Sequence, residues 1–347
     1  MRRRTLLRGL GATTLAGLAG ARPVDGASTR TTSGTQSEFA PIATLPVDGA
    51  REAVFGPDGT TVYLAVLDGF AVVDASDPTE PRLLAERRDL LADADGGPLG
   101  QVQEVAVDGD RLLVMGPAHP VPDAVHAAVL FDVSDPADPR KLAVHRTRYP
   151  HHNGDLVDGL AYLTGNDGEG NPLVIVAMAG RTAQEGPRVV GRWSLVDVDH
   201  AWADGPAGRR PLHDVFVRDG VAYCSLWDAG TWLVDVRDPA NPAVLGSVGA
   251  PAPDALGEDS GGTDAASVGN HHSAAVDETG ELLAVGHESF ADPAGIDLVD
   301  VSDPGEPVHL ATIDPPSVSD DDVPALRTTA HNFALRNGRL YSGWYHG

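Results

Sequence analysis

Cysteine is nearly absent from this chain: Cys224 stands alone among 347 residues. That excludes an intrachain disulfide and any cysteine-rich metal cage, and the strand-like setting Tyr223-Cys224-Ser225 marks the thiol as a small buried hydrophobe. Lysine is as scarce, with Lys141 its one instance, so the 25 basic residues are almost all arginine. No apolar run is long enough for a comfortable membrane span, and no stretch carries the 3.6-residue period of an amphipathic helix. The chain also lacks a Gly-x-Ser-x-Gly elbow, a Walker loop, a dinucleotide fingerprint and a His-Glu-x-x-His helix. The commonest hydrolase, nucleotide and zinc-protease readings are thereby removed.

Acid is what the chain has in excess. Its formal charge is −25 at pH 7, and a surface of that sign repels nucleic acid and anionic lipid, so neither is an expected partner. Acid excess with almost no lysine resembles the composition of proteins from salt-loving archaea, whose carboxylates stay hydrated while salt screens their mutual repulsion. The length permits two ordinary domains or one large all-β domain, and internal repeats decide between them.

The first residues read as an address. Arg2, Arg3 and Arg4 precede Thr5-Leu6-Leu7-Arg8, and a short run rich in Gly, Ala and Leu follows from Gly9 to Ala21, with small residues suited to cleavage there or at Ala27. Basic, apolar and small residues in that order resemble a twin-arginine export signal over residues 1–27. No cysteine stands near the cleavage region, so a secreted or cell-surface protein without a lipid anchor is expected. That pathway carries folded cargo, which suits a protein that loads a cofactor before leaving the cell. A polar linker spans residues 28–38.

One phrase then recurs: "VVDASDPTEP", "LFDVSDPADP", "LVDVRDPANP" and "LVDVSDPGEP". Their first prolines, Pro78, Pro136, Pro239 and Pro304, lie 58, 103 and 65 residues apart. The middle interval is close to two units, and the missing phrase survives as "PLVIVAMAG" at residues 172–180. Apolar residues ending in aspartate suit a strand packed between layers, Asp-Pro makes a turn, and a second proline opens a strand that must lie outermost because it lacks a donor. Each unit starts with two short strands around a Gly-containing hairpin, as in "DLVDGLAYLTG" and "VFVRDGVAYCSL". Four strands per unit at a period near 60 residues predict an all-β fold, a β-propeller, over residues 39–347. A pair of β-sandwiches is the alternative. Five complete blades and a partial sixth are expected. "APIATLPV" at residues 40–47 reads as an outermost strand closing the ring, and the two strands ending at "LYSGWYHG" suggest a chain truncated at its C-terminus.

On these residues the chain resembles the LVIVD-repeat family, secreted or surface-associated propeller proteins named for the apolar-aspartate strand. The resemblance covers residues 39–347. It implies a propeller of four-stranded LVIVD-type blades at the cell exterior and assigns no reaction.

Counting back six residues from the hairpin Asp or Asn finds His152, His213, His271 and His331 in four consecutive units, with Ala50 and Val102 in the first two. Inner strands of a propeller line its central channel, so a histidine ring is predicted at the channel mouth. His119, His126, His151, His200, His272, His287 and His346 map to the same face, with Trp227, Asp228, Trp344 and Tyr345. Neutral imidazoles on separate rigid strands suit Cu, Fe or Zn, with Asn153, Asp214, His272 and Asn332 placed to orient them. The competing reading is structural: one histidine per blade braces its own blade. Glu52 and Glu104 hold matching places in the first two inner strands, either completing a His/carboxylate site or paired with neighbours. Asp-rich inserts at 253–264 and 317–324 are where Ca²⁺ would sit, though they lack an EF-hand pattern and read as acidic surface. Two functions follow. One is an extracellular binding or scaffold module for a protein, glycan or small molecule; the other is a metal-dependent, oxidase-like enzyme.

Overall fold

The computed structural model describes residues 41–178, 186–256, 270–289, 294–316 and 329–345. The export signal, the linker, His346, the insert at 317–324 and most of the insert at 253–264 lie outside these residues. The described residues form five four-stranded antiparallel sheets and one two-stranded sheet, each a meander in which consecutive strands pair.

Six inner strands surround the axis: β1 (Ala50–Phe55), β5 (Val105–Asp108), β9 (Gly154–Val157), β13 (Asp214–Arg218), β17 (His271–Val276) and β21 (Ala330–Arg336). Each of the first five lies beside the next, and Asn332 on β21 donates its side-chain N–H to Glu52 on β1. The arrangement is a β-propeller, with β1 to β4 (Arg82–Arg87) as its first blade. Among the described residues the sixth blade holds β21 and β22 (Arg339–Trp344). No helix among the described residues is long and apolar enough to cross a membrane.

The repeated phrase behaves as its chemistry dictates. Its first aspartate, Asp74, Asp132, Asp235 or Asp300, accepts a backbone N–H two residues on at 2.9–3.0 Å. Its second, Asp77, Asp135, Asp238 or Asp303, repeats the motif one turn later. Two successive Asx turns deliver the chain to the second proline, after which the outermost strands begin: β4, β8 (Arg140–Thr147), β16 (Ala243–Val248) and β20 (Val308–Ile313). The degenerate unit keeps the same plan, with β11 (Leu173–Ala177) leading to β12 (Arg188–Trp193). Glycine is required where a turn nests on the preceding blade. A Cβ at Gly191 would stand 1.7 Å from the Pro239 carbonyl oxygen, and one at Gly246 1.7 Å from that of Pro304.

The core consists of apolar layers between blades, not one central nucleus. Phe70, Val72, Leu112 and Phe131 fill the layer between blades one and two. Leu173, Ile175, Trp193, Trp202 and Val234 fill that between blades three and four, where Cys224 is fully buried and burial pushes its thiol pKa up. The layer between blades five and six is thinner, with Ala284, Ile296 and Ala330 at its centre and Trp344 packed against it.

One sequence expectation is corrected. Residues 41–47 do not form a strand. An outermost strand needs a third strand to pair with, and the sixth sheet as described offers only β21 and β22. The Asn332–Glu52 contact joins the sixth blade to the first instead.

Candidate functional site

The blades come into register when counted from the last ladder pair before each inner hairpin. These pairs are Gly56–Thr61, Asp108–Arg111, Val157–Leu160, Arg218–Val221, Asp277–Leu282 and Arg336–Arg339. Five residues back from the first member stand Arg51, Gln103, His152, His213, His272 and His331. Four back stand Glu52, Glu104, Asn153, Asp214, Ser273 and Asn332. Hydrogen bonds between blades confirm this alignment: Asn153 accepts from Val215 N at 3.3 Å and Asp214 from Ala274 N at 3.0 Å, each reaching the next blade at the same offset.

Four imidazoles therefore form an arc. Ring centroids lie 4.1 Å apart for His152 and His213, 4.2 Å for His213 and His272, and 4.7 Å for His272 and His331. His119 extends the arc, 5.1 Å from His152. Trp227 stacks on His213 at 4.9 Å, and the Tyr345 ring stands edge-on to His331 at 4.6 Å.

His271 is not in the arc. The expectation placed it there with His272 behind, and the structure reverses the two. Blade five turns through a four-residue loop after Asp277, where blades three, four and six use two residues. Counting from the turn aspartate therefore slips by one, and one residue changes the face of a strand. A bulge between His271 and Ser273 adds to this by turning His272 toward the channel. His271 instead bonds through Nδ1 to Thr231 Oγ1 at 2.8 Å, within the hydrophobic interior of blades four and five. Its counterpart in blade three, His151, contacts Thr147 Oγ1 at 2.8 Å and the Thr164 carbonyl at 3.2 Å.

Glu288, which the sequence reading did not single out, completes the cluster. His272 Nε2 lies 3.2 Å from Glu288 Oε2, and their side chains are 4% and 11% exposed. Ligand-type atoms of His213, His272 and Glu288 all fall within 4.8 Å of one another. The Tyr345 hydroxyl hydrogen-bonds to Glu288. His213 Nδ1 is 3.1 Å from the His272 carbonyl oxygen. A carbonyl only accepts, so that nitrogen carries the proton and Nε2 keeps its lone pair. Among the described residues, His272 Nδ1 is buried without a hydrogen-bond partner.

Electrostatics keep these rings neutral. Burial, followed by the neighbouring imidazoles, holds His213 and His272 well below the usual histidine range. Burial alone lowers His331 to about 4, and burial with His119 lowers His152 to about 4. Glu288 is pushed up to about 7 by burial. Two neutral imidazoles and a carboxylate form a borderline N₂O donor set, suited to Zn, Cu or Fe and poorly suited to Ca²⁺, which takes six to eight oxygens.

The residues expected to orient the rings do other work. Asn153, Asp214 and Asn332 hydrogen-bond to adjacent blades, as does Ser273 Oγ to the His331 carbonyl at 2.9 Å. They form a girdle around the channel. Glu52 and Glu104 belong to it, paired with Asn332 and Asn153. Burial first and the Asp214 carboxylate second raise Glu52 to about 8, and Glu104 is raised for the same first reason with Glu52 next. Asp228 forms an ion pair with Arg209 at 3.1 Å. His200 stands apart from the arc in an exposed turn, and His126 and His145 lie on the outer strands of blade two.

The ring of four-stranded sheets defines the chain as a β-propeller. A family model described as LVIVD repeat matches residues 59–86 and 211–249, which fall in the first and fourth blades. Among solved structures, the β-propeller domain of Cps50 (Swd1) from Myceliophteria thermophila aligns over 88% of this chain and 83% of its own, at 11% identity and a TM-score of 0.53. A putative 6-phosphogluconolactonase from Bacteroides uniformis aligns over 84% and 82%, at 10% identity and a TM-score of 0.54. Likeness at such identity shows the fold alone. Comparison with curated proteins finds no match.

Proposed function

We propose that this protein is an exported metal-binding propeller, in which His213, His272 and Glu288 hold one transition-metal ion at the channel mouth. The observation that carries this reading is the convergence of three ligand-type atoms from three separate segments, one already oriented through its second ring nitrogen. His152 and His331 flank the ion and supply further imidazole ligands or shape its open side. Trp227 and Tyr345 wall the mouth, which favours a small extracellular molecule over a protein as the species that meets the metal. The twin-arginine motif supports export after folding, a route compatible with loading metal inside the cell. Cu, Fe and Zn all fit the donors.

Elemental analysis of the full-length protein tests this, after purification in high salt without chelator or affinity histidines. About one equivalent of metal is expected, lost in a His213→Ala/His272→Ala variant whose circular dichroism still reports the β fold. Absence of metal after exposure to each ion in turn overturns the reading.

A further inference from the structure

Basic side chains are scarce in this acidic chain, yet Arg87, Arg88, Lys141 and Arg146 line one groove of about 520 Å³ at the perimeter of blades one and two. Strand pairing explains why they converge. On the outermost strand β8, Lys141 stands opposite Phe131, Val144 opposite Val129 and Arg146 opposite Ala127 on β7 (His126–Asp132). Paired residues point to the same face of a sheet, and Ala127, Val129 and Phe131 belong to the apolar layer between blades one and two. Lys141 and Arg146 therefore project toward blade one. Arg87, at the end of β4, stands opposite Phe70 and projects toward the same layer from the other blade. The segment from Asp89 to Ala94 completes the lining. It is anchored by Leu99 N–H, which donates to the Leu90 carbonyl at 2.6 Å, and by Val125 N–H, which donates to the Gly96 carbonyl at 2.8 Å.

The four cations are not equivalent. Arg88 bonds to Asp68 at 2.7 Å and to Glu86 at 2.9 Å, and Arg87 bonds to Asp138 at 3.0 Å and to the Pro139 carbonyl at 3.2 Å. Their charges are answered within the fold. Lys141 and Arg146 are exposed and, among the described residues, make no ion pair and no side-chain hydrogen bond. Apolar groups lie alongside them: Val129 and Phe131 beneath, and Leu90 and Leu91 half-buried in the loop. The acidic groups of the lining, Asp89 and Asp93, are exposed on the loop, so a negative ligand group is drawn to the β8 side instead. We infer that this groove binds a small amphipathic carboxylate, with its apolar body against Leu90, Leu91 and Phe131 and its carboxylate on Lys141 and Arg146. An apolar lining with a few charged groups is the usual make-up of a small-molecule site, and the volume lies within the usual range of roughly 300–1,000 Å³. A large polyanion is disfavoured, because the chain as a whole carries −25 and repels it. The groove is separate from the channel mouth and does not depend on the metal reading.

The test is calorimetric titration of the full chain in high salt with octanoate and with octanol, which share an apolar body and differ in charge. Octanoate is expected to bind, and octanol to bind roughly tenfold or more weakly, since only the acid meets the two cations. Lys141→Gln/Arg146→Gln changes two exposed side chains that have no partner to lose, so the fold is kept. It should bring octanoate binding down to the level of octanol. Arg140→Gln removes a positive charge from the opposite face of the same strand and should alter octanoate binding by less than about twofold, which separates a local site from general charge. The inference is overturned if octanoate does not bind or binds no better than octanol. It is equally overturned if the double variant binds octanoate as wild type does, or if Arg140→Gln weakens binding as much as the double variant.

Discussion

Five residues before the inner hairpin, blades three to six carry His152, His213, His272 and His331, whereas blades one and two carry Arg51 and Gln103 at the same point of the same strand. One residue further on, all six blades carry a hydrogen-bonding side chain, and these link blade to blade around the channel. The contrast separates two roles that the sequence left merged. Fastening the ring falls to the position every blade fills with a polar group. The histidine position is filled by imidazole in four blades only, so the fold does not require it. True bracing histidines exist, but they are His151 and His271, one position earlier, each bonded to a threonine hydroxyl.

Removing a brace should therefore cost most. His151→Ala takes out a buried ring with two hydrogen bonds, leaving a cavity and unpaired groups. A loss of about 2–4 kcal/mol is expected in urea unfolding at high salt. Asp214→Ala, which strands the Ala274 N–H in the girdle, should cost about 1–3 kcal/mol. By contrast, His152→Ala should cost less than either. If His152→Ala proves as damaging as His151→Ala, the division between brace and arc is wrong.

The two sides of the channel should also respond to pH in opposite senses. Glu52 has its folded pKa raised to about 8. Between about 4.5 and 8 the native state holds a proton that the unfolded chain has lost, so this group's contribution to stability falls as pH rises through that window. Glu52→Gln should remove the fall, gaining roughly 1–3 kcal/mol on wild type between pH 5 and pH 8. His152, lowered to about 4, acts the other way. Its neutral burial costs nothing above about 6.5 and destabilises as pH drops toward 4. Against wild type, Glu52→Gln should gain as pH rises from about 4.5 to 8, and His152→Ala should gain as pH falls from about 6.5 to 4. Parallel curves would mean that water in the channel screens both groups.

Blade number and strand order were legible because Asp-Pro turns and outer-strand prolines have narrow backbone requirements, and they recur in step. The site was half legible. His152, His213 and His331 precede Asp-Gly or Asn-Gly hairpins of equal length, so counting back from the turn finds them. Blade five turns through Glu278-Thr279-Gly280-Glu281 instead, and the count there falls on His271 where the channel receives His272. The longer loop was visible in "DETGE", so the signal was present in the chain. Glu288 was hidden for a different reason. It follows the end of β18 (Leu282–His287), and only the pairing of that strand with β17 brings it to His272. Sequence distance gave no hint of that contact.

The smallest expected effect sharpens the comparison most. Gln103→His would place a fifth imidazole at the histidine position of blade two, beside blade three, which carries His152. Gln103 is half-buried. If the position is free of structural duty, urea unfolding at high salt should shift by no more than about ±0.5 kcal/mol. The reciprocal His152→Gln should be as mild, because blade two shows that glutamine is accommodated there. Metal uptake is then the discriminating readout: a position that serves the site alters uptake while leaving stability unchanged. A loss above about 1 kcal/mol in both exchanges would show that each blade has adapted to its own residue, and the four-blade distribution of histidine would then lose its force as evidence for a one-sided metal site.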